Sequence, residues 1–315
     1  DNNENVNPNT NDIRFQIIGE TGASRLDNAE MILNDLNVAK QMEKAGKTPK
    51  EIHLATSWER GADNKWRFEL PDIKSIDKLV FNKVKTGEKV TLYELVGDNV
   101  IFKAYPELKD LKVKIGKESI FNASDKTITL SNLFTSLSAK STLIHELQHA
   151  IQNIEGFAYG TTGYREMMSA RYYYNEYVTQ KMFKENKEYR DLYIQADALP
   201  YYISDTSLEK NKQREELDSK LQDIYKDYIE KNPFDENKLK EVAKKLYYGN
   251  AGEIEARNAQ TRRYMTIKER KAKMLVETED IERNQRKVIL DAINGIANSE
   301  FNDMGFQSEH SSKEK

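Results

Sequence analysis

Ser141-Thr-Leu-Ile-His-Glu-Leu-Gln-His-Ala-Ile-Gln-Asn-Ile-Glu155 is the stretch from which the rest of this chain is best read. Leu143, Leu147, Ala150 and Ile154 recur at helical spacing, so a helix is predicted from about Ser138 or Ser141 to Gly156, where glycine ends it. His145 and His149 fall on roughly the opposite side of that helix. Residues four apart lie one above the other, so the two imidazoles can bind a single ion at about 2.0–2.1 Å from each nitrogen. Glu146 projects beside such an ion rather than onto it, in position to take a proton from water that the metal acidifies. His-Glu-x-x-His also arises by chance on exposed helix faces. Here two of only 4 histidines in 315 residues fall within it. The expectation is one Zn2+ per chain held by His145 and His149, with Glu146 as the catalytic general base.

A hydrolytic zinc site needs a third protein ligand and an open position. The chain has no cysteine, which removes thiolate ligands, disulfides and cysteine nucleophiles together. His53 reads as part of a hairpin strand and His310 as part of a loose tail, so the third ligand should be a carboxylate. Gly252-Glu253-Ile254-Glu255-Ala256-Arg257 offers two acids on a glycine-initiated helix, among small residues that permit close packing on the first helix. Glu253 and Glu255 are both candidates, with Glu155 and Glu166 behind them. For any of these acids the ordinary alternative is a solvated helix charge.

Working outward, Asn28–Ala45 reads as a helix closed by Gly46, and Glu51–Ala55 with Lys65–Leu70 as a hairpin ended by Pro71. A second β region is expected at Leu111–Ile115, Ser119–Asn122 and Thr127–Leu130. The last of these is read as an upstream edge strand that an extended peptide could join, or else as an ordinary sheet strand. Beyond Gly156 the composition turns helical: Glu166–Asp191, rich in tyrosine, then Thr206–Lys231 broken by Asn232-Pro233, Lys238–Tyr248, and Glu253–Arg263, with a capping box opening another helix at Thr266. The tyrosines Tyr172, Tyr173, Tyr174, Tyr177, Tyr189 and Tyr193 could line a cleft or supply an oxyanion donor. Helix-on-helix packing is the commoner use of such residues.

Hydrophobic residues at 38% can fill a core, while 49 basic against 52 acidic side chains leave a net charge of −3. That balance gives no basic excess for nucleic acid, and the basic runs Arg262-Arg263 and Lys268–Lys273 read as solvated helix faces. No apolar run reaches the roughly 18 residues of a membrane span, and the Asn-rich start has no signal-peptide pattern, so a cytoplasmic setting without membrane contact is expected. A first residue of Asp1 rather than methionine reads as a processed form or a segment of a longer polypeptide.

Four blocks carry a resemblance: Arg14-Phe-Gln-Ile-Ile-Gly-Glu20, Leu54-Ala-Thr-Ser-Trp-Glu-Arg-Gly-Ala-Asp63 with Lys65-Trp-Arg67, Ser141–Phe157, and Ala251-Gly-Glu-Ile-Glu-Ala-Arg-Asn258. Together they span most of residues 13–285. In these blocks the chain resembles the zincin-like metallopeptidase domains of large polyvalent proteins from bacteriophages and conjugative elements, especially those of gut Bacteroidales. The resemblance implies a gluzincin-type site with a glutamate on a later helix as third ligand, which puts Glu253 ahead of Glu255. Arg257, four positions on, becomes the residue expected to brace the site, although many gluzincins have an aspartate there. It also implies entry into a recipient cell with mobile DNA, and a protein or peptide substrate. The fold class expected is α+β: a small mixed sheet, an active-site helix and a large helical C-terminal part. The expected divisions are a disordered segment 1–12, an N-terminal α/β accessory region 13–110, a metallopeptidase domain 111–285 with a helical insertion at about 164–248, and a helical to disordered tail 286–315. Set against peptide hydrolysis are a non-catalytic, metal-stabilised module of a larger protein and an effector that cleaves one host protein.

Overall fold

A computed structural model describes residues 16–70, 76–131, 136–199, 208–233 and 235–288. Phe15, Pro71, His310 and both expected loose ends, apart from 286–288, fall outside those ranges. Among the described residues the chain forms two compact units, one running to Thr161 and resuming at Tyr248, the other Thr162–Tyr247.

The first unit opens with β1 (Gln16–Ile18), α1 (Glu20–Ala23) and α2 (Ala29–Lys44). Next comes α3 (Pro49–Thr56), where a strand is expected from the sequence. Thr48 accepts from the Glu51 amide while the Glu51 side chain accepts from Thr48, and Pro49 sits at the first helical position, so a capping box overrides the β propensity of the segment. His53 therefore lies on a helix, buried beside Glu59 at 3.2 Å. The hairpin is made by β2 (Trp58–Arg60) and β3 (Trp66–Leu70) across the turn Gly61-Ala62-Asp63-Asn64. β1 pairs with β3 on the other side, giving an antiparallel sheet of order β1-β3-β2.

The next elements are α4 (Lys78–Lys85), β4 (Val90–Thr91), α5 (Leu92–Val96), α6 (Ile101–Ala104), β5 (Lys112–Gly116), β6 (Ile120–Asn122) and β7 (Thr127–Ser131). They build a second, mixed sheet of order β4-β5-β7-β6, with β5 parallel to β7 and β6 antiparallel to it. The reading of Thr127–Leu130 as an edge is thus corrected: β7 is bonded on both sides, and β6 is the outer strand. Burial agrees with that order, since β7 buries most of its residues while β6 buries none. After β7 comes α7 (Ser136–Glu155), which packs against β1, β6 and β7 and is closed by Gly156 at φ 64°.

The second unit consists of α8 (Gly163–Glu185), α9 (Lys187–Asp197), α10 (Leu208–Lys231) and most of α11 (Glu236–Gly249). Asn186 ends α8 and caps α9. Val178, Met182, Tyr189, Ala196, Leu217 and Leu221 form one core, and α11 packs its own apolar face on Ala170. Tyr189 is buried and Tyr174 packs on that core, as helix-packing tyrosines do, whereas Tyr172, Tyr177 and Tyr193 are exposed. The chain then re-enters the first unit with α12 (Ala251–Arg262) and α13 (Ile267–Ala272), the latter started by the Thr266–Glu269 capping box. Among the described residues beyond α13, two short 3-10 turns follow, Leu275–Glu277 and Arg283–Gln285, and buried Glu59 accepts the Leu275 amide. No described helix is long and apolar enough to cross a membrane.

Candidate metal centre

α7 is covered on nearly every side, and its two faces are buried by different means. Leu143, Leu147, Ala150 and Ile151 enter the main core. The polar face, with Glu146, Gln148 and Gln152, is equally buried and satisfies itself with hydrogen bonds. Gln148 closes on the backbone of β1, accepting from the Ile17 amide at 3.0 Å and donating to the Ile17 carbonyl at 2.8 Å. α12 lies alongside α7, its Ala251, Ala256 and Ala259 allowing close approach. Asn250 caps α12 by accepting from the Glu253 amide, so the helix starts from an asparagine cap rather than from Gly252.

This packing brings His145, His149 and Glu253 together. His145 Nε2 and His149 Nε2 are 3.1 Å apart, and each is 3.2 Å from a different oxygen of the Glu253 carboxylate. Among the described residues these three form a group whose ligand atoms all lie within 4.8 Å of one another. A tetrahedral zinc at about 2.0–2.1 Å holds its ligand atoms about 3.3–3.4 Å apart, so the three donors fit such an ion with little movement.

The histidine tautomers follow from two glutamines. Gln152 Nε2 donates to the Gly252 carbonyl at 2.9 Å and to Glu255 Oε1 at 3.1 Å, which leaves its oxygen to accept from His149 Nδ1 at 2.8 Å. Gln260 Nε2 donates to the Ser141 carbonyl at 2.9 Å and to Ser141 Oγ at 3.1 Å, so its oxygen accepts from His145 Nδ1 at 3.2 Å. With the proton held on Nδ1 in both rings, both Nε2 lone pairs face the Glu253 carboxylate. Such a convergence of electron-pair donors suits a metal ion, and without one it suits a proton shared between His149 and Glu253.

The electrostatics agree with that. Burial opposes charge on His149, but the adjacent Glu253 carboxylate more than offsets it and pushes the imidazole up to about 9. Burial likewise works to raise Glu253, yet His149 and His145 hold it far below the usual carboxylate range. The Glu253 carboxylate also accepts from the Thr161 amide at 2.8 Å. Glu146 is pushed upward, first by burial and then by Glu253, while its carboxylate accepts from the Phe121 amide of the outer strand β6. Burial and the neighbouring Glu253 thus both favour the protonated form of Glu146, and the Phe121 amide favours the carboxylate.

The remaining candidates are placed elsewhere. Glu255 turns from the histidines to Arg67, 2.7 Å away. Glu155 accepts from the amides of Thr21 and Gly22 and from Tyr105 Oη. Glu166 is buried on α8 in the second unit. Arg257 does not brace the site: it pairs with Asp280 at 2.6 Å and donates to the Tyr248 carbonyl. Gln152 and Gln260 fill that role, and helical spacing marks each as a neighbour of a ligand on its own helix, while the fold alone brings Gln260 to His145. Gln152 is three residues after His149, and Gln260 is seven after Glu253, each on the same helix face as the ligand.

Residues 15–77 match the family model described as large polyvalent protein associated domain 23. The match covers β1 to β3 and links this segment to large polyvalent proteins. Neither a curated protein nor a solved structure matches the chain.

Proposed function

We propose that the chain is a zinc-dependent metallopeptidase domain of a large polyvalent protein carried by a phage or conjugative element, working inside the cell or in a recipient. The observation that carries this reading is the convergence of His145 Nε2 and His149 Nε2, on the helix that also carries Glu146, with the Glu253 carboxylate of α12, all within 4.8 Å. His145, His149 and Glu253 would hold the ion, and their Nδ1 hydrogen bonds keep both imidazoles in the tautomer that can ligate. When bound, zinc supplies Lewis acidity, polarising a carbonyl oxygen and making water acidic enough to lose a proton near neutral pH.

Glu146 is the residue of this chain that takes that proton and passes it to the leaving amine. Burial raises its proton affinity above that of an ordinary glutamate, and the Phe121 amide fixes the carboxylate. Because β6 has β7 as its one strand partner among the described residues, its outer side offers an extended peptide a strand to join beside Glu146.

The burial of the centre favours a second reading, a metal-stabilised module without catalysis. Glu253 is 1% exposed, with the His145 and His149 side chains at 11% and 13%. One experiment separates the two. In a casein-cleavage assay on zinc-loaded protein, Glu146→Gln should keep stoichiometric zinc and lose activity by about 10²–10⁴-fold. Equal and negligible cleavage by wild type and variant, with zinc still raising thermal stability, would decide for the module.

A further inference from the structure

Arg67 lies on β3, in the segment that matches the polyvalent-protein family model, yet its side chain is among the most deeply buried of the described residues. Its guanidinium stacks on the Phe157 ring at 3.3 Å from the centroid. Nε donates to Glu255 Oε2 at 2.7 Å, and Nη2 donates to Asp63 Oδ2 at 2.9 Å. Asp63 in turn accepts from the Ala158 amide at 2.7 Å, just before the loop that crosses the metal centre. Gly61 leaves the room this needs, since a Cβ there would stand 2.7 Å from Arg67 Cζ. So buried a cation, paired with two carboxylates, is a costly device for stability alone, because apolar packing of equal volume generally serves stability as well.

The Glu255 carboxylate held by Arg67 has a second oxygen, and that oxygen accepts from both Gln148 and Gln152 at 3.1 Å. Gln152 is the residue whose oxygen receives the His149 Nδ1 proton. Turned over, its amide would set oxygen against the Gly252 carbonyl and the Glu255 carboxylate, two acceptors. Only the orientation with nitrogen toward Glu255 and the Gly252 carbonyl presents oxygen to the histidine.

We infer that Arg67 and Glu255 are positioning residues for the metal centre, holding Gln152 in the orientation that keeps the His149 proton on Nδ1 and its Nε2 free to ligate. The polyvalent-protein-associated segment is then a working part of the metal site and not a module appended to it. This rests on the metal-centre reading above and assigns residues to it that touch neither the ion nor substrate.

A double-mutant cycle on zinc affinity tests it, using the full chain and competition with a chromophoric chelator at pH 7.5. Arg67→Gln should weaken zinc by about 10–100-fold in the wild-type background, as loss of an outer partner of a metal-bound histidine does. It should change affinity by less than about twofold when Gln152→Leu has already cut the relay. An equal loss in both backgrounds, or none in either, would reduce Arg67 to a packing role and overturn the relay alone. Wild type that takes up no zinc would overturn the metal centre and the relay with it. If Arg67→Gln fails to fold, as melting of the metal-free protein would reveal, the same cycle with isosteric Glu255→Gln reads the relay one link closer to His149 and decides by the same criteria.

Discussion

At the scale of single residues, the His149–Glu253 pair has consequences that oppose each other with and without metal. His149 is raised from 6.5 to about 9, so its stabilising contribution to the metal-free protein is fully present below pH 6.5 and is lost as pH rises through 9. Glu253 is depressed, so its contribution is present above its ordinary value of 4.5 and is lost only as pH falls far below it. Chelator-treated protein should therefore melt at progressively lower temperature from pH 6.5 to 9, and His149→Gln should flatten that decline. Zinc needs the neutral imidazole, so its affinity should rise over the same window by about tenfold per pH unit, for the one proton displaced from His149. Parallel melting curves for wild type and variant would disprove the coupling.

The elements impose a tighter geometry than any pair of residues. α7 supplies two ligands four residues apart, and α12 brings the third because its alanines and Gly252 let it approach closely. The backbone of Tyr159 and Gly160 runs through the space between them: a Cβ on Gly252 would stand 2.3 Å from the Tyr159 carbonyl carbon. A Cβ on Gly160 would stand 2.3 Å from His149 Cε1 and 2.6 Å from Glu253 Oε1. Gly160→Ala should thus push His149 and Glu253 apart, lowering zinc affinity at least tenfold and costing about 1–3 kcal/mol of stability from overpacking. Isothermal titration with zinc and thermal melting measure both effects, and unchanged affinity would show that the loop gives way instead. At this scale the expected hairpin also moved by a few residues, since local capping by Thr48, Pro49 and Glu51 outweighed the apolar run that suggested a strand.

Across the whole molecule, every residue of the metal centre and of its hydrogen-bond relay lies in the unit that runs to Thr161 and resumes at Tyr248. The helices of Thr162–Tyr247 have cores of their own. Calorimetry should then show two transitions, of which zinc moves one. At a free zinc concentration of about 100 times Kd, that transition gains about 2.7 kcal/mol while the other stays in place. A single transition, or equal shifts in two, would mean that the units do not unfold separately. The match of residues 15–77 to a polyvalent-protein family model gains a physical content here as well, because β1 and β3 contact α7 and Glu255 directly through Ile17 and Arg67.

What the sequence determined by itself was what lies within one helix or one turn: the helical character and closing glycine of α7, the relation of His145, Glu146 and His149, and the tyrosine-rich helices that follow. Those properties depend on periodicity and capping, which are local. The tertiary structure alone decided which acid on α12 faces the histidines, because Glu253 and Glu255 are equally good carboxylates until Arg67, 188 residues before Glu255, claims one of them. It also decided that β6 and not β7 is the outer strand, and that Gln260, 115 residues after His145, holds its tautomer. Each of these rests on a contact between segments far apart in sequence, and such contacts are chosen by packing and by the pairing of buried polar groups, which no local pattern encodes.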